Sequence, residues 1–265
     1  MYNLLSKSFL EQPWGMALFI VLDIAVLVLI LALNYRWCCK RILDILFSLV
    51  GLAVFFAFFL VFYIVQIVYN NKTKSYGSLF EKRYFIGKRE KITYCTEFAC
   101  KNENGELTQL GKVLRATKIA YYPRLADIFS GRFSFVGPVP LSVADYLAVK
   151  AEDRARFSVR PGLISSLEKF GGESLTYADM FEEDAEYAEH LSLWKDISYF
   201  CLYFIVKLRG DRRNKLGECA EKSYVEALFH SGDITEEQAT EYRTQGEEKL
   251  QKVLSFREEK ARFSK

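Results

Sequence analysis

Proline is scarce in this chain: five in 265 residues, with none between Pro13 and Pro123. No ring therefore imposes a kink anywhere in that stretch, and a long helix there has no built-in break. Histidine is scarcer, with only His190 and His230, so a metal site built on imidazoles has little to stand on. The six cysteines (Cys38, Cys39, Cys95, Cys100, Cys201, Cys219) form no C-x-x-C pair and no disulfide-like framework, and they read as reduced thiols. Charge of one sign is also missing. A net charge of +3 and the lack of a basic run interleaved with aromatics exclude a nucleic-acid surface.

What is present divides into two populations. Hydrophobic residues make up 51% and charged residues 26% as an average, but the chain is almost uncharged before Asn70 and densely charged after it. Gly15–Asn34 is a nearly pure aliphatic run of about 20 residues, enough to cross a bilayer core of roughly 30 Å. It is followed by no small-x-small cleavage site, so it reads as an uncleaved anchor. Ile42–Tyr69 is a second apolar run, long enough to span as a straight helix.

The segment between the runs carries Arg36, Lys40 and Arg41, and residues 72–91 carry seven more Lys and Arg. Both stretches belong on the cytoplasmic face. They share that face only if the second run enters the membrane and returns; full spanning is the alternative. Asp23, inside the first anchor, is either protonated or marks a helix–helix contact, within this chain or with another subunit.

Beyond the membrane runs, alternating apolar residues around Gly87, from Gly77-Ser78-Leu79-Phe80 to Ile92-Thr93-Tyr94, predict a β-hairpin. Residues 108–129 have helical spacing interrupted at Pro123. Val136-Gly137-Pro138-Val139-Pro140 is a rigid turn. The run from Ile197 to Val206 is too short to span and predicts an interfacial or core helix. Thr235-Glu236-Glu237-Gln238 is a capping-box sequence opening a charged helix to about Arg257, expected to lie solvated on the surface or to dock a partner.

Several blocks, in order, resemble the bacterial sugar transferases, monotopic enzymes that load a phospho-sugar onto a polyprenol phosphate. The main one is Leu107–Pro140, with Leu110-Gly111, Leu114-Arg115, Thr117, Pro123, Leu125, Gly131, Ser134, Val136-Gly137-Pro138 and Pro140 in register. Lys40-Arg41-x-x-Asp44-x-x-x-Ser48 resembles the opening of the family's re-entrant helix. Its Ser-Pro break falls here on Phe56-Ala57. Val159-Arg160-Pro161-Gly162-Leu163-Ile164 resembles another family block, and so does Asp184-x-x-Tyr187 with Ser192-Leu193-x-x-Asp196, which is expected to cap and pack a membrane-resting helix.

The same resemblance shows what is gone. The family's Asp-Glu pair falls on Ala120 and Tyr121, and the Arg between its two prolines falls on Val139. Its hairpin Gln, Glu and Arg fall on Arg83, Tyr84 and Phe85, and its Lys-Phe-Arg falls on Cys95-Thr96-Glu97. The family reaction needs a carboxylate to attack a diphosphate, and alanine has no reacting atom. Asp127 sits about two helical turns from Ala120 and is too far to replace it. Arg115 and Arg160, retained where the family is basic, read as ion-pair partners before phosphate contacts.

The resemblance therefore implies an α+β membrane-associated protein with an N-terminal transmembrane helix (1–35) and a re-entrant or spanning helix (36–70). A small, mostly helical cytosolic domain with a short β-hairpin (71–213) and a C-terminal helical extension (214–265) follow. It implies residence at the bacterial inner membrane, with the soluble domain cytosolic. The expected function is a non-catalytic partner or regulator of an active transferase in exopolysaccharide or glycoconjugate assembly. Expected partners are membrane lipid, an active paralogue or a second copy, and polyprenol phosphate. No catalytic residue and no cofactor are expected. Mg2+ belongs only to the alternative, an active transferase with relocated residues; a third reading is nucleotide-sugar or polyprenol-phosphate binding without turnover.

Overall fold

The computed structural model describes residues 12–73, 78–102, 105–170, 175–208 and 223–263. Gly77, Cys219 and the boundary expected at 213/214 lie outside the described residues. The first apolar run forms α1 (Pro13–Leu33), opening on a proline whose missing N–H costs nothing at a helix start. The second forms α2 (Lys40–Thr73). They are joined by a π-helical turn, Tyr35–Cys39. Both helices are long and apolar enough to cross a membrane. Nearly all side chains of α1 are exposed, and Asp23 finds no partner among the described residues. A contact for it within the described chain is thereby removed.

α2 runs from Lys40 to Thr73 without interruption, as a stretch without proline allows. It is docked lengthwise on the domain that follows. Asp44, Ser48, Gly51, Phe55, Phe59, Tyr63 and Gln66 recur at three- and four-residue steps, one stripe of a 3.6-residue helix. Along that stripe, Tyr122 Oη donates to the carbonyls of Gly51 (3.2 Å) and Leu52 (2.8 Å). The Phe59 ring lies 5.6 Å from that of Phe98. Gln66 Nε2 donates to the carbonyls of Leu79 (3.3 Å) and Ala99 (2.9 Å). From Asp44 to Gln66 the stripe runs about 33 Å at 1.5 Å per residue. The other faces, with Phe47, Val54, Phe58 and Val61, stay exposed.

The hairpin forms as β1 (Phe80–Ile86) antiparallel to β2 (Ile92–Phe98), pairing Phe80 with Phe98 and Ile86 with Ile92. Its turn is closed by Gly87 N–H to the Lys91 carbonyl at 2.9 Å. Arg89 and Glu90 there are left-handed, with φ of 59° and 58°, and Tyr146 Oη holds the Glu90 carboxylate at 2.7 Å. The expected helical stretch becomes α3 (Gln109–Ala116), a single 3-10 turn at Ile119–Tyr121, and α4 (Arg124–Phe129). Thr108 caps α3 by accepting the Gly111 N–H at 2.9 Å.

The two proline-glycine blocks meet as β3 (Ser134–Val136) parallel to β4 (Gly162–Ile164). A parallel pair needs a crossover, which α5 (Val143–Ala148) and the 3-10 helix Ala151–Ser158 supply. Gly162 N–H donates to the Pro138 carbonyl and Gly137 N–H to that of Ile164, both at 3.0 Å. A Cβ on Gly137 would sit 2.3 Å from the Arg160 carbonyl, and one on Gly162 would sit 2.1 Å from the Gly137 nitrogen. Only glycine permits that approach.

α6 (Tyr177–Glu189) starts in a capping box of Thr176 and Asp179. It is followed by α7 (Leu193–Leu208), α8 (Tyr224–Ser231) and α9 (Glu236–Phe263). The box at Thr235 and Gln238 forms as expected: Thr235 N–H reaches Gln238 Oε1 at 2.9 Å, and Gln238 N–H reaches Thr235 Oγ1 at 3.3 Å. α9 is more than a solvated helix. Leu250 and Val253 pack against the main core of Ile86, Leu141, Tyr146, Met180 and Phe181, and Tyr224 of α8 is buried in it. Asp145 Oδ1 accepts the Val225 N–H at 3.0 Å, tying α8 to α5.

Candidate functional site

The residues at the family's acid-pair positions sit on the 3-10 turn between α3 and α4, wedged between β2 and α2. Ala120 is fully buried, in an apolar cluster with Phe98, Cys100 and Leu114, on which Phe59, Phe62 and Tyr63 of α2 pack. A carboxylate there would face rings. Tyr121 lines a cavity of about 560 Å³ together with Phe55, Phe59, Lys118, Arg124 and Tyr203. Its ring lies 4.6 Å from the Arg124 guanidinium and 5.5 Å from Lys118 Nζ. The wall that the family lines with acids is aromatic and cationic here.

Behind Tyr121, Arg124 is ion-paired with the buried Glu97 of β2. Arg83 Nη1 stands 3.7 Å from the same carboxylate. That pairing was not foreseen. Its signal was a double change: Glu97 falls where the resembled block has Arg, and Arg124 where it has a neutral Gln. Asp127 shows the same pattern with Arg132. Its Oδ1 takes Arg132 Nη2 at 2.5 Å and Nε at 3.1 Å, while Oδ2 takes the Thr96 N–H at 2.6 Å. Asp127 is fully buried and clamps β2 to the end of α4; it acts as a structural brace.

Neither acid is available to a ligand. The neighbouring thiol is no substitute nucleophile either. Burial pushes Cys95 up to about 11, with Glu97 adding to the rise and Arg124 opposing it. At neutral pH it stays protonated. Mg2+ prefers several oxygen ligands, and among the described residues both Glu97 and Asp127 beside the turn are already paired with arginine; that donor set does not fit the ion. Among the described residues no group of three or more His, Cys, Asp or Glu is placed to hold a metal.

The retained motifs come together elsewhere, as a clamp on the start of α2. Lys40 Nζ bonds the Val136 carbonyl at 3.0 Å and Tyr187 Oη at 3.1 Å, and it is ion-paired with Asp196. Asp196 also accepts from Tyr187 Oη at 2.6 Å and from Tyr35 Oη. Burial and Asp196 raise the Tyr187 phenol well above its ordinary range, so it remains a donor. Asp44 Oδ1 accepts from Ser134 Oγ and the Phe135 N–H, each at 3.1 Å. Ser48 turns back to the Ile45 carbonyl at 2.9 Å and is fully buried. Arg41 reaches the carbonyls of Ile128 (2.5 Å) and Phe129 (2.6 Å).

Of the block that closes with Asp196, Ser192 Oγ caps α7 by accepting the Lys195 N–H at 3.3 Å. Asp184 does something else: it is fully buried against Arg156, at 2.7 Å. Arg115 and Arg160 differ from expectation, since neither meets a carboxylate among the described residues. Arg160 Nε donates to the Gly131 carbonyl at 2.8 Å. Arg115 lies against Cys100, where it opposes the upward pull of burial on that thiol. Pro123, Pro138, Pro140 and Pro161 shape the turns that present these groups.

A buried clamp joining an apolar helix to a small α+β domain, built on these motifs, agrees with the comparisons. The bacterial sugar transferase family matches residues 35–210, and the chain belongs to that family. It is 33% identical over 97 residues to EpsL of Bacillus subtilis (strain 168), an uncharacterized sugar transferase, covering 36% of this chain and 48% of that protein. It is 33% identical over 99 residues to the UDP-glucose:undecaprenyl-phosphate glucose-1-phosphate transferase of Caulobacter vibrioides, covering 34% and 37%. The match to the exopolysaccharide production protein ExoY of Sinorhizobium fredii is 27% over 188 residues, covering 60% and 80%. The chain thus spans less than half the length of the first two relatives.

Proposed function

We propose that this chain is a non-catalytic member of the bacterial sugar transferase family. On this reading it sits at the cytoplasmic face of the membrane as partner or regulator of an active phosphoglycosyl transferase in exopolysaccharide or glycoconjugate assembly. One observation carries the reading: where the family places its acid pair, this chain has a buried methyl group and a tyrosine stacked on a cation, while the clamp holding the membrane helix is complete. Scaffold without chemistry suits a protein selected for position and contact. The largely exposed α1, with Asp23 among its apolar residues, would offer such a contact inside the membrane.

The test is co-purification from native membranes in mild detergent. The reading expects a sugar transferase with an intact acid pair in stoichiometric complex with this chain; a protein isolated only by itself counts against it. Binding without turnover is the second reading, favoured by the 560 Å³ cavity beside Tyr121, which falls within the usual range for small-molecule sites. It expects saturable binding of a UDP-sugar or of polyprenol phosphate.

A further inference from the structure

A second cavity, of about 280 Å³, lies at the opening of α2 and shares no lining residue with the one at Tyr121. It is lined by Arg36, Lys40, Arg41, Lys88, Ser158 and Arg160, with Val159 and Leu191 completing the wall and no carboxylate among them. Lys40 is neutralised by Asp196. The other four cations have no ion pair among the described residues. Three of them are aimed by neutral carbonyls at helix ends. Arg41 takes those of Ile128 and Phe129, Arg160 that of Gly131, and Arg36 Nη1 that of Glu189 at 2.9 Å.

Carbonyls at helix C-termini orient a guanidinium but cancel only part of its charge. Asp44 bonds Ser134 and Phe135 through one oxygen and acts on Arg41 across space without an ion pair. Lys88 is delivered by the hairpin turn whose next two residues, Arg89 and Glu90, hold left-handed conformations. Burial pushes the Lys88 ammonium below its ordinary range, and Arg160, Arg89 and Arg36 push it further. Four like charges converging with no ion pair among the described residues, and only Asp44 opposing them at Arg41, repel one another, and a bound anion reverses that sign.

We propose that this cavity binds a phosphate ester. Three guanidinium groups and an ammonium around a small opening match the chemistry of phosphate oxygens, with the Ser158 hydroxyl as a further donor. The volume is small for a nucleotide sugar and suits a headgroup. The cavity also lies where α1 hands over to α2, lined by Arg36 of the connecting turn and Lys40 and Arg41 of α2, and cations flanking an apolar helix suit a headgroup phosphate. Two sources share this chemistry, an anionic phospholipid and a soluble phosphate.

The experiment uses the full chain in a neutral detergent. Melting temperature and affinity are measured with dihexanoyl-phosphatidylglycerol, dihexanoyl-phosphatidylcholine and inorganic phosphate. A site of this kind gives a rise in melting temperature with phosphatidylglycerol above that with phosphatidylcholine. An equal response to inorganic phosphate assigns the site to soluble phosphate; a response confined to the lipid assigns it to a headgroup. Lys88→Gln, which removes no hydrogen bond among the described residues, is expected to weaken binding at least about fivefold, in line with a charge-assisted bond. Arg160→Gln does the same, and Arg160→Lys restores most of the loss. No response to either phosphate probe, or affinity unchanged in both Lys88→Gln and Arg160→Gln, overturns the proposal.

Discussion

Ala120 and Arg156 show at the residue scale what the family scaffold has become. Replacing Ala120 with Asp and Tyr121 with Glu restores the letters of the acid pair. The new carboxylate at Ala120 would lose its hydration among Phe59, Phe98 and Leu114. The expected outcome is a fall in melting temperature and no release of UMP from UDP-sugars, because Arg124 and Glu97 stay locked together. Asp184→Ala strands the buried Arg156 and is expected to cost about 3–5 kcal/mol in chemical denaturation.

Cys95 gives a pH test. Its folded-state value of about 11 lies above the ordinary range. The neutral thiol therefore contributes stability that is complete below about pH 8.5 and lost as pH climbs toward 11. Cys95→Ser is expected to flatten that alkaline decline relative to the unchanged protein. Alkylation near neutral pH is expected to reach the exposed Cys201 before Cys95.

At the scale of elements, α2 holds the most consequential departure. The lack of proline was legible in the sequence and gave the unbroken helix. The lengthwise docking was not, because phenylalanines lie on the exposed faces (Phe47, Phe56, Phe58) as well as on the stripe (Phe55, Phe59), leaving little contrast for periodicity to register. The clamp was half legible: the Lys40, Asp44, Tyr187 and Asp196 motifs were visible as blocks, but two blocks 150 residues apart give no sign that they share one carboxylate. The hairpin and the capping box at Thr235 were legible because their signals are local. The Glu97–Arg124 pair was not, since compensating charge changes on two elements become meaningful only when β2 lies beside the turn. Ala57→Pro, placing the ring where the family breaks its helix, is expected to destabilise by about 3 kcal/mol. It is also expected to release the Phe59 contacts, seen as faster amide exchange in β2.

On the scale of the whole molecule, two surfaces define how the chain meets its surroundings. One is apolar: the exposed aliphatic residues of α1, the outer faces of α2, and Ile197, Phe200 and Phe204 of α7. A patch of this extent marks a membrane or protein interface. The other is the cationic cavity at the junction of α1 and α2. Together they are consistent with membrane association of a body whose clamp is intact and whose acid-pair positions hold Ala120 and Tyr121. The most direct measurement incubates the purified full chain with a panel of UDP-sugars, polyprenol phosphate and Mg2+, following UMP by chromatography and the intact protein by mass spectrometry. No UMP and no added phospho-sugar mass are expected. UMP release with a phospho-sugar adduct on the polypeptide, at Glu97 or any other side chain, would contradict the account.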